Sequence, residues 1–264
     1  MRNEYLSAIG RIFFGLAIAA MGLLTIYYKD FPYMLIPPKH IWLNDHILSV
    51  YISGALLALA GGCILFRKQT MPVSLLLGTV LLLVFLFYFI PYELFASSNY
   101  MHFGAWENAA KELALSGGAF VMAGCFSAKS ESPFIRSLGK LSFLGPILFS
   151  LTIISFSIDH FLYAEQAAGY VPSWISNPVF WIYFAGVPLL GSGLGILLKI
   201  KPRLMATLLG IMILIWVIIL HIPKSVAAPF AENGGEIISA FLALAYCGIA
   251  FVIAGCRTER TQGA

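Results

Sequence analysis

Apolar stretches of about twenty residues recur along this sequence, and they constrain its fold more than any other feature. They occupy 7–27, 47–66, 72–91, 104–126, 141–163, 177–198, 203–222 and 236–256. A helix needs about 20 residues to cross the hydrocarbon core of a bilayer, and each stretch is close to that length. The chain is 60% hydrophobic, above the about 45–50% that is typical of soluble domains. The sequence therefore predicts an all-α membrane protein with eight transmembrane helices.

The connections between these stretches are short, which limits the functions that the chain can have. They leave no room for a separate soluble catalytic domain or for a nucleic-acid-binding domain. We therefore expect the lipid bilayer as the main partner of the chain, and no nucleic acid.

Positive charge falls on alternate connections, and this predicts the orientation of the helices. Lys and Arg collect on the cytoplasmic side of membrane proteins. One side of the predicted bundle holds most of them: Arg2, Arg11, Arg67, Lys68, Lys129, Arg136, Lys140, Lys199, Lys201, Arg203, Arg257 and Arg260. Both termini belong to this basic side, so we expect both in the cytoplasm. The opposite, outer side holds the five histidines and most of the acidic residues.

An internal repeat divides the chain into two similar halves. The segment LALSGGAFVMAGC at 113–125 recurs as LAYCGIAFVIAGC at 244–256, with nine of thirteen positions identical. Each half contains four predicted spans, and an even number gives both halves the same orientation, as in parallel repeats. The sequence predicts two tandem four-helix bundles at 1–127 and 141–264, joined by a cytoplasmic linker at 128–140.

Six ionisable residues in the predicted spans have no ionisable counterpart in the other half. They are Glu107, Lys111, Glu112, Asp159, His160 and His221. An ionisable group at the bilayer centre costs about 2.5–3.5 kcal/mol on insertion scales and marks a functional site by default. All six lie near the predicted outer ends of spans, where water reduces that cost. Their clustering at one depth favours a shared outer cavity.

A structural role explains the pair in the fourth span about as well as a functional one. Glu107 and Lys111 are four residues apart, which is the spacing of a helical ion pair. Acidic residues are also favourable in the first turn of a helix. Both interpretations therefore stay open for this pair.

The residues of the second half leave the same two interpretations open. Asp159 and His160 are neighbours that point apart on a helix, so each needs a partner elsewhere, either water or a group in a cavity. His221 lies near the end of the seventh span, just before Pro223, which prevents simple continuation of the helix. A hydrated histidine and a ligand-binding one both fit this position.

Histidines and cysteines form no metal-binding motif in this sequence. Neither a His-x-x-x-His nor a Cys-x-x-Cys pattern occurs, so we expect no metal site. No pair of cysteines lies on the outer side, where disulfides persist, which argues against a disulfide-forming oxidoreductase. Cys125 and Cys256 are repeat partners, and we interpret them as small packing residues.

Several motifs resemble the DoxX and DoxX-like family of bacterial integral membrane proteins. They are DHF at 159–161, VPSW at 171–174, FWIYFAG at 180–186, GLGILLKIKPR at 193–203 and WENAAKELALSGGA at 106–119. The resemblance implies a four-helix unit in the bacterial inner membrane, present here as a tandem fusion. Some relatives are small subunits of quinone-linked oxidoreductases, which implies quinone as the candidate cofactor and a redox subunit as the candidate partner.

Three functions are consistent with these features, and the first is favoured. The first is binding of a small amphipathic molecule, a quinone or a lipid, in an outer-facing cavity. The predicted lining is Glu107, Lys111, Asp159, His160, His221, Trp106, Asn108 and Trp174. The second is a membrane subunit of a quinone-linked oxidoreductase, which needs a partner because the sequence has no haem or iron–sulfur ligation pattern. The third is a small-solute transporter whose halves move around a central site. An enzyme that acts alone is not expected.

Overall fold

Helices make up almost all of the structure, a computed structural model that describes residues 2–37, 46–126 and 132–256. No β-strand occurs within these ranges. His40 and residues 128–131 of the predicted linker lie outside them. The rest of the predicted linker is largely helical, because residues Pro133–Gly139 form a short helix.

The α-helices are labelled in chain order. They are α1 (Arg2–Tyr28), α2 (Ile47–Leu65), α3 (Thr70–Val84), α4 (Glu107–Cys125), α5 (Pro133–Gly139), α6 (Leu144–Leu162), α7 (Ala164–Ala168), α8 (Pro178–Leu197), α9 (Pro202–Trp216), α10 (Ile222–Ala227) and α11 (Gly235–Gly255). Short 3₁₀ turns connect some of them, and π-helical turns follow α3 and α9.

Seven helical segments within the described ranges are long and apolar enough to cross a membrane. They are Glu4–Tyr28, Ile47–Leu65, Thr70–Ala96, Pro133–Leu162, Pro178–Leu197, Pro202–Ala227 and Gly235–Gly255. The remaining predicted span forms α4, which is 19 residues long but begins with the charged residues Glu107, Lys111 and Glu112. Multi-pass membrane insertion follows from the seven apolar segments. An eighth crossing, by α4, stays a prediction.

Helices α4 and α11 form the centre of the bundle. More than half of the residues in each are buried, and the two helices contact each other. Helix α1 packs against α2 and α11, whereas α6 packs against α8 and α4. The first helix of each sequence half therefore packs against the last helix of the other half, so the halves form one body.

The seventh predicted span ends at 222, but the helix continues to Ala227. A π-helical turn at Val217–His221 makes this continuation possible. In that turn the backbone N–H of Ile222 donates to the carbonyl of Val217, five residues earlier. Pro223 then lies in the first turn of α10, where its missing N–H is not needed. The wider turn absorbs the proline without ending the helix.

Gly61 marks a place where two helices approach too closely for a side chain. A Cβ atom at Gly61 would lie 2.6 Å from the carbonyl oxygen of Gly15 and would also clash with the backbone nitrogen of Ala19. The next residue, Gly62, has open space where its Cβ would be. Small residues at helix interfaces allow such approach in lipid, where van der Waals packing drives helix association.

We predict that Gly61→Ala lowers the thermal stability of the detergent-purified protein, by about 1–3 kcal/mol, as overpacking does. The neighbouring Gly62→Ala is the matched control. It should leave stability unchanged or raise it by up to about 1 kcal/mol, because alanine is the better helix former. Thermal unfolding of the two variants beside the wild type measures both effects. Equal stability of the two variants would show that α1 and α2 are not in close contact at Gly61.

Candidate functional site

One cavity of about 880 Å³ opens at the end of the bundle where α4 and α11 begin. Its walls come from α4, α6, α7, α8, α9, α10, α11 and the connection that follows α1. Most of these elements belong to the second half of the sequence. Helix α4 and the connection after α1 belong to the first half, so both halves contribute to the same cavity.

The charged lining residues lie at one end of the cavity because of where they fall on their helices. Glu107 and Lys111 occupy the first turns of α4, and Glu236 the first turn of α11. Asp159 and His160 lie in the last turn of α6, which runs in the opposite direction along the bundle. Polar groups from neighbouring helices thus gather at the cavity mouth.

Lys111 links the polar groups of α4. Its Nζ lies 2.7 Å from Oε1 of Glu107 and donates to Oδ1 of Asn108 at 3.3 Å. Its backbone carbonyl accepts a hydrogen bond of 3.2 Å from the hydroxyl of Tyr246 on α11. The lysine charge is therefore held on the cavity wall by its own helix, and its backbone joins α4 to α11.

The carboxyl group of Asp159 lies on the cavity wall. Among the described residues, neither carboxyl oxygen of Asp159 has a hydrogen-bond partner, although both are shielded from solvent. The charged groups that act on it are Glu107 and Lys111 across the boundary between α6 and α4. A buried polar group without a partner costs about 1–3 kcal/mol. Such a group on a cavity wall is positioned to interact with a bound molecule.

The two histidines of the cavity differ in how they are held. Nδ1 of His160 lies 2.7 Å from the carbonyl oxygen of Phe156, one turn earlier on α6. A carbonyl only accepts, so Nδ1 carries the hydrogen in this contact, and Nε2 of the neutral ring is left as an acceptor. His221 is the last residue of the π-helical turn after α9. Within the described residues, the wall at this level therefore offers at least one nitrogen acceptor.

Three charged lining residues, Asp30, Lys224 and Glu236, are not among the predicted ones, and the last two lie together. Nζ of Lys224 lies 3.7 Å from Oε1 of Glu236 and 4.0 Å from the ring centre of Tyr170. The positions of Lys224 and Glu236 in the sequence do indicate that they lie near the predicted site. Lys224 follows His221 by three residues, which places it on the same helical face, and Glu236 starts the next span.

Residues from the connection after α1 also line the cavity, among them Asp30 and Tyr33. The connection is anchored to the segment before α11, where Nδ2 of Asn233 donates to Oδ2 of Asp30 at 3.1 Å. The hydroxyl of Tyr33 donates to Oε1 of Glu93 at 3.4 Å. Burial raises the pKa of Tyr33, and the neighbouring Tyr92 and Glu93 add to the rise. No local sequence signal predicts these contacts, which join residues far apart in the chain.

Deeper in the bundle the lining is mainly apolar. It includes Ile153, Ile182, Leu189, Met212, Ile213 and Leu242. On α11 the lining runs from Gly235 to Tyr246, which is about 16 Å at 1.5 Å per residue. A bilayer core is about 30 Å thick, so the cavity reaches about half of that depth. Its shape suits a molecule with a polar end and an apolar body.

Six of the eight predicted lining residues line this one cavity: Glu107, Asn108, Lys111, Asp159, His160 and His221. The two tryptophans do not. The indole nitrogen of Trp106 donates to the carbonyl of Tyr100 at 2.9 Å. Trp174 is 71% exposed and lies between α7 and α8. Aromatic residues of this kind are typical of membrane interfaces, and the sequence does not distinguish that position from a cavity wall.

No cluster of three or more histidine, cysteine, aspartate or glutamate side chains suited to a metal ion occurs in the described part of the chain. The one side-chain contact recorded for a cavity histidine within the described residues joins Nδ1 of His160 to the carbonyl oxygen of Phe156. The polar side chains of the cavity wall are suited to hydrogen bonding with an organic group.

Glu112 is the most buried acidic residue of the unmatched set, and it does not line the cavity. Its side chain has no solvent exposure, and neither of its oxygens has a hydrogen-bond partner within the described residues. The aligned residue in the second half is Ala243. In the described part of the chain, no hydrogen bond compensates for the loss of water around the Glu112 carboxyl group.

We predict that Glu112→Met raises the stability of the protein by about 1–3 kcal/mol, because it removes an unsatisfied buried group while keeping a similar volume. Glu112→Gln is the matched control. It should bring no such gain, because the amide is also polar and buried. Thermal unfolding in detergent measures both variants. A clear loss of stability in Glu112→Met would mean that the carboxyl group makes a stabilising interaction.

Comparison of the chain with protein-family models, with curated proteins and with solved structures found no match. Membership of the DoxX family, which the quoted motifs predict, therefore stays a prediction.

Proposed function

We propose that this chain is an integral membrane protein that binds a small amphipathic molecule, a quinone or a lipid, in its outer-facing cavity. The observation that carries the proposal is the division of the cavity into a charged mouth and an apolar interior. Such a division matches a molecule whose polar end stays near the membrane surface while its apolar part enters the bundle. The chain's role is then to hold this molecule, alone or for a redox partner.

The mouth supplies both hydrogen-bond donors and acceptors for the polar end. Lys111 and Lys224 are donors, and His160 offers an acceptor nitrogen. A quinone carbonyl or a lipid phosphate accepts from the lysines, whereas a quinol or lipid hydroxyl donates to the acceptor. The apolar interior adds about 25 cal/mol for each Å² of apolar surface that it removes from water. Removal of one lysine should therefore weaken binding without abolishing it.

We further propose that the two halves are copies of one four-helix unit, with both termini in the cytoplasm of a bacterium and the chain in its inner membrane. Matching contacts support the duplication. A Cβ at Gly145 would lie 3.0 Å from the carbonyl oxygen of Gly117. Gly10 and Gly248, which align with Gly145 and Gly117, approach each other in the same way. The hydroxyl of Ser116 donates to the carbonyl of Gly78, and the aligned Cys247 thiol donates to that of Gly210.

Quenching of tryptophan fluorescence tests the proposed binding, because Trp216 lines the cavity and quinones quench indole emission. We expect ubiquinone-2 to quench the purified protein with saturation, and the saturable part to disappear in Trp216→Phe. A lysophospholipid should compete with it if the site accepts lipid headgroups. A saturable change of Trp216 emission on addition of the lysophospholipid, without quenching by ubiquinone-2, would identify a lipid site. Failure of both probes would contradict the proposal.

Two substitutions on α8 separate cavity binding from partition into detergent. Ala185 lines the cavity, and Ala185→Phe should weaken binding of the effective probe at least about tenfold, or about 1.4 kcal/mol. Val187, two residues later, is 63% exposed and does not line the cavity, so Val187→Phe should bind as the wild type does. Lys111→Met should give a smaller loss than Ala185→Phe. Equal binding by the two phenylalanine variants would place the probe elsewhere.

A further inference from the structure

The charges on the cavity wall do not cancel within the wall itself. Among the described residues, four acidic side chains and two lysines line the cavity: Asp30, Glu107, Asp159, Glu236, Lys111 and Lys224. With the histidines counted as neutral, negative charges outnumber positive ones. A wall of this kind favours a ligand that brings a positive charge of its own.

Both lysines of the wall already have an acidic partner. Nζ of Lys111 lies 2.7 Å from Oε1 of Glu107, and Nζ of Lys224 lies 3.7 Å from Oε1 of Glu236. The two pairs use up the positive charge of the described wall. The excess negative charge therefore lies on the two aspartates.

The two aspartates differ in what satisfies their oxygens. Oδ1 of Asp30 accepts from the backbone N–H of Phe31 at 2.8 Å, and its Oδ2 accepts from Nδ2 of Asn233 at 3.1 Å. Neither oxygen of Asp159 has a hydrogen-bond partner within the described residues. Asp159 is therefore the acidic group of the described wall that a ligand has most reason to satisfy.

Aromatic rings lie on both sides of Asp159 along the cavity wall. Phe156 comes three residues earlier and Tyr163 four residues later, spacings that place side chains on the same helical face, and all three residues line the cavity. The ring of Phe156 also lies 5.9 Å from that of Tyr246 on α11, centre to centre. The faces of aromatic rings attract ammonium groups. A carboxylate between aromatic rings is a combination suited to an ammonium group.

An ammonium group of the protein already occupies a place of this kind on the same wall. Nζ of Lys224 lies 4.0 Å from the ring centre of Tyr170 and 3.7 Å from Oε1 of Glu236. One aromatic ring and one carboxylate thus hold this ammonium group. Asp159 and its two flanking rings repeat both elements without a lysine.

We propose that the cavity selects amphiphiles whose polar end carries an ammonium group, such as an alkylamine or a lipid with an ethanolamine headgroup. The ammonium group pairs with Asp159 between Phe156 and Tyr163, and the alkyl chain lies along the apolar interior. Solvent does not reach the oxygens of Asp159, so water does not screen their charge, which acts strongly on a cation in the adjacent cavity. This inference rests on the proposed function, because it names the polar end of the molecule that the same cavity holds.

Two brominated amphiphiles test the inference on the full-length protein in a neutral detergent. They are ω-bromododecylammonium and ω-bromododecanol, which share a chain and a quenching bromine atom and differ in the polar end. The quenching of Trp216, which lines the cavity, is measured as the difference between the wild type and Trp216→Phe. The wild type should bind the ammonium probe at least about tenfold more tightly than the alcohol, as expected for a hydrogen bond to a charged group.

Asp159→Asn removes the carboxylate charge with little change in shape. It should reduce the affinity for the ammonium probe to about that of the alcohol, while the alcohol binds as it does to the wild type and shows that the cavity is intact. Phe156→Leu should reduce the preference for the ammonium probe about two- to fivefold, because it removes one aromatic face. Glu165→Gln is the matched control. Glu165 lies on α7 nearby, is exposed and does not line the cavity, so this variant should keep the wild-type preference.

A third probe distinguishes the two sources of the ammonium group. Lauroyl lysophosphatidylethanolamine should displace the ammonium probe if the ligand is a lipid headgroup. Displacement by unbrominated dodecylammonium but not by this lipid would identify a free amine as the ligand. Both results support the inference, and they assign the ammonium group to different molecules.

The inference and the proposed function fail in different ways. Equal affinity for the two brominated probes would overturn the inference while leaving the proposed function in place, since both probes would still bind in the cavity. A preference for the ammonium probe that survives Asp159→Asn, or that Glu165→Gln removes equally, would also overturn it. If neither brominated probe binds with saturation, the inference fails, and the titration with ubiquinone-2 and the lysophospholipid decides whether the proposed function fails with it.

Discussion

Packing between the first helix of each half and the last helix of the other half is the contact on which the rest of the structure depends. Helix α1 lies against α11, and α6 lies against α4. Glycines at both contacts allow the backbones to approach, which is how helices associate in lipid, where van der Waals packing replaces the hydrophobic effect. Because each of these contacts joins one half to the other, the two halves do not form separate bundles.

The cavity is a consequence of these contacts between the halves. Since α4 packs beside α6, the charged start of α4 meets the polar end of α6 at the same level of the bundle. Lys111 brings one charge and a backbone contact to Tyr246, and Asp159 brings a carboxyl group that has no hydrogen-bond partner among the described residues. Ionisable residues that have no counterpart in the other half thus become neighbours where the two halves meet. Most of the apolar lining of the cavity comes from the second half.

The sequence predicts the helices well and the cavity in part. Long apolar stretches predict the first and last residues of α8 and α11 to within one or two positions, because the length and hydropathy of these segments determine where the helices begin and end. The predicted bounds and direction of each span also place Glu107 and Asp159 at the same depth. The role of the connection after α1 is not predictable in this way, since Asp30 reaches Asn233 across 203 positions. The sequence does not predict that the helix continues beyond Pro223, because a π-helical turn depends on backbone geometry that residue types do not reveal.

Cysteine accessibility in intact cells tests the central claim, that the polar residues form a water-accessible cavity at the outer surface. In a variant without native cysteines, Asn108→Cys places a thiol at the cavity mouth, and Lys68→Cys places one at the basic end of the bundle. A small, charged, membrane-impermeant methanethiosulfonate should modify Asn108→Cys in intact cells, and should modify Lys68→Cys only after the cells are opened. Modification of Lys68→Cys in intact cells, or no modification of Asn108→Cys before opening, would contradict the account.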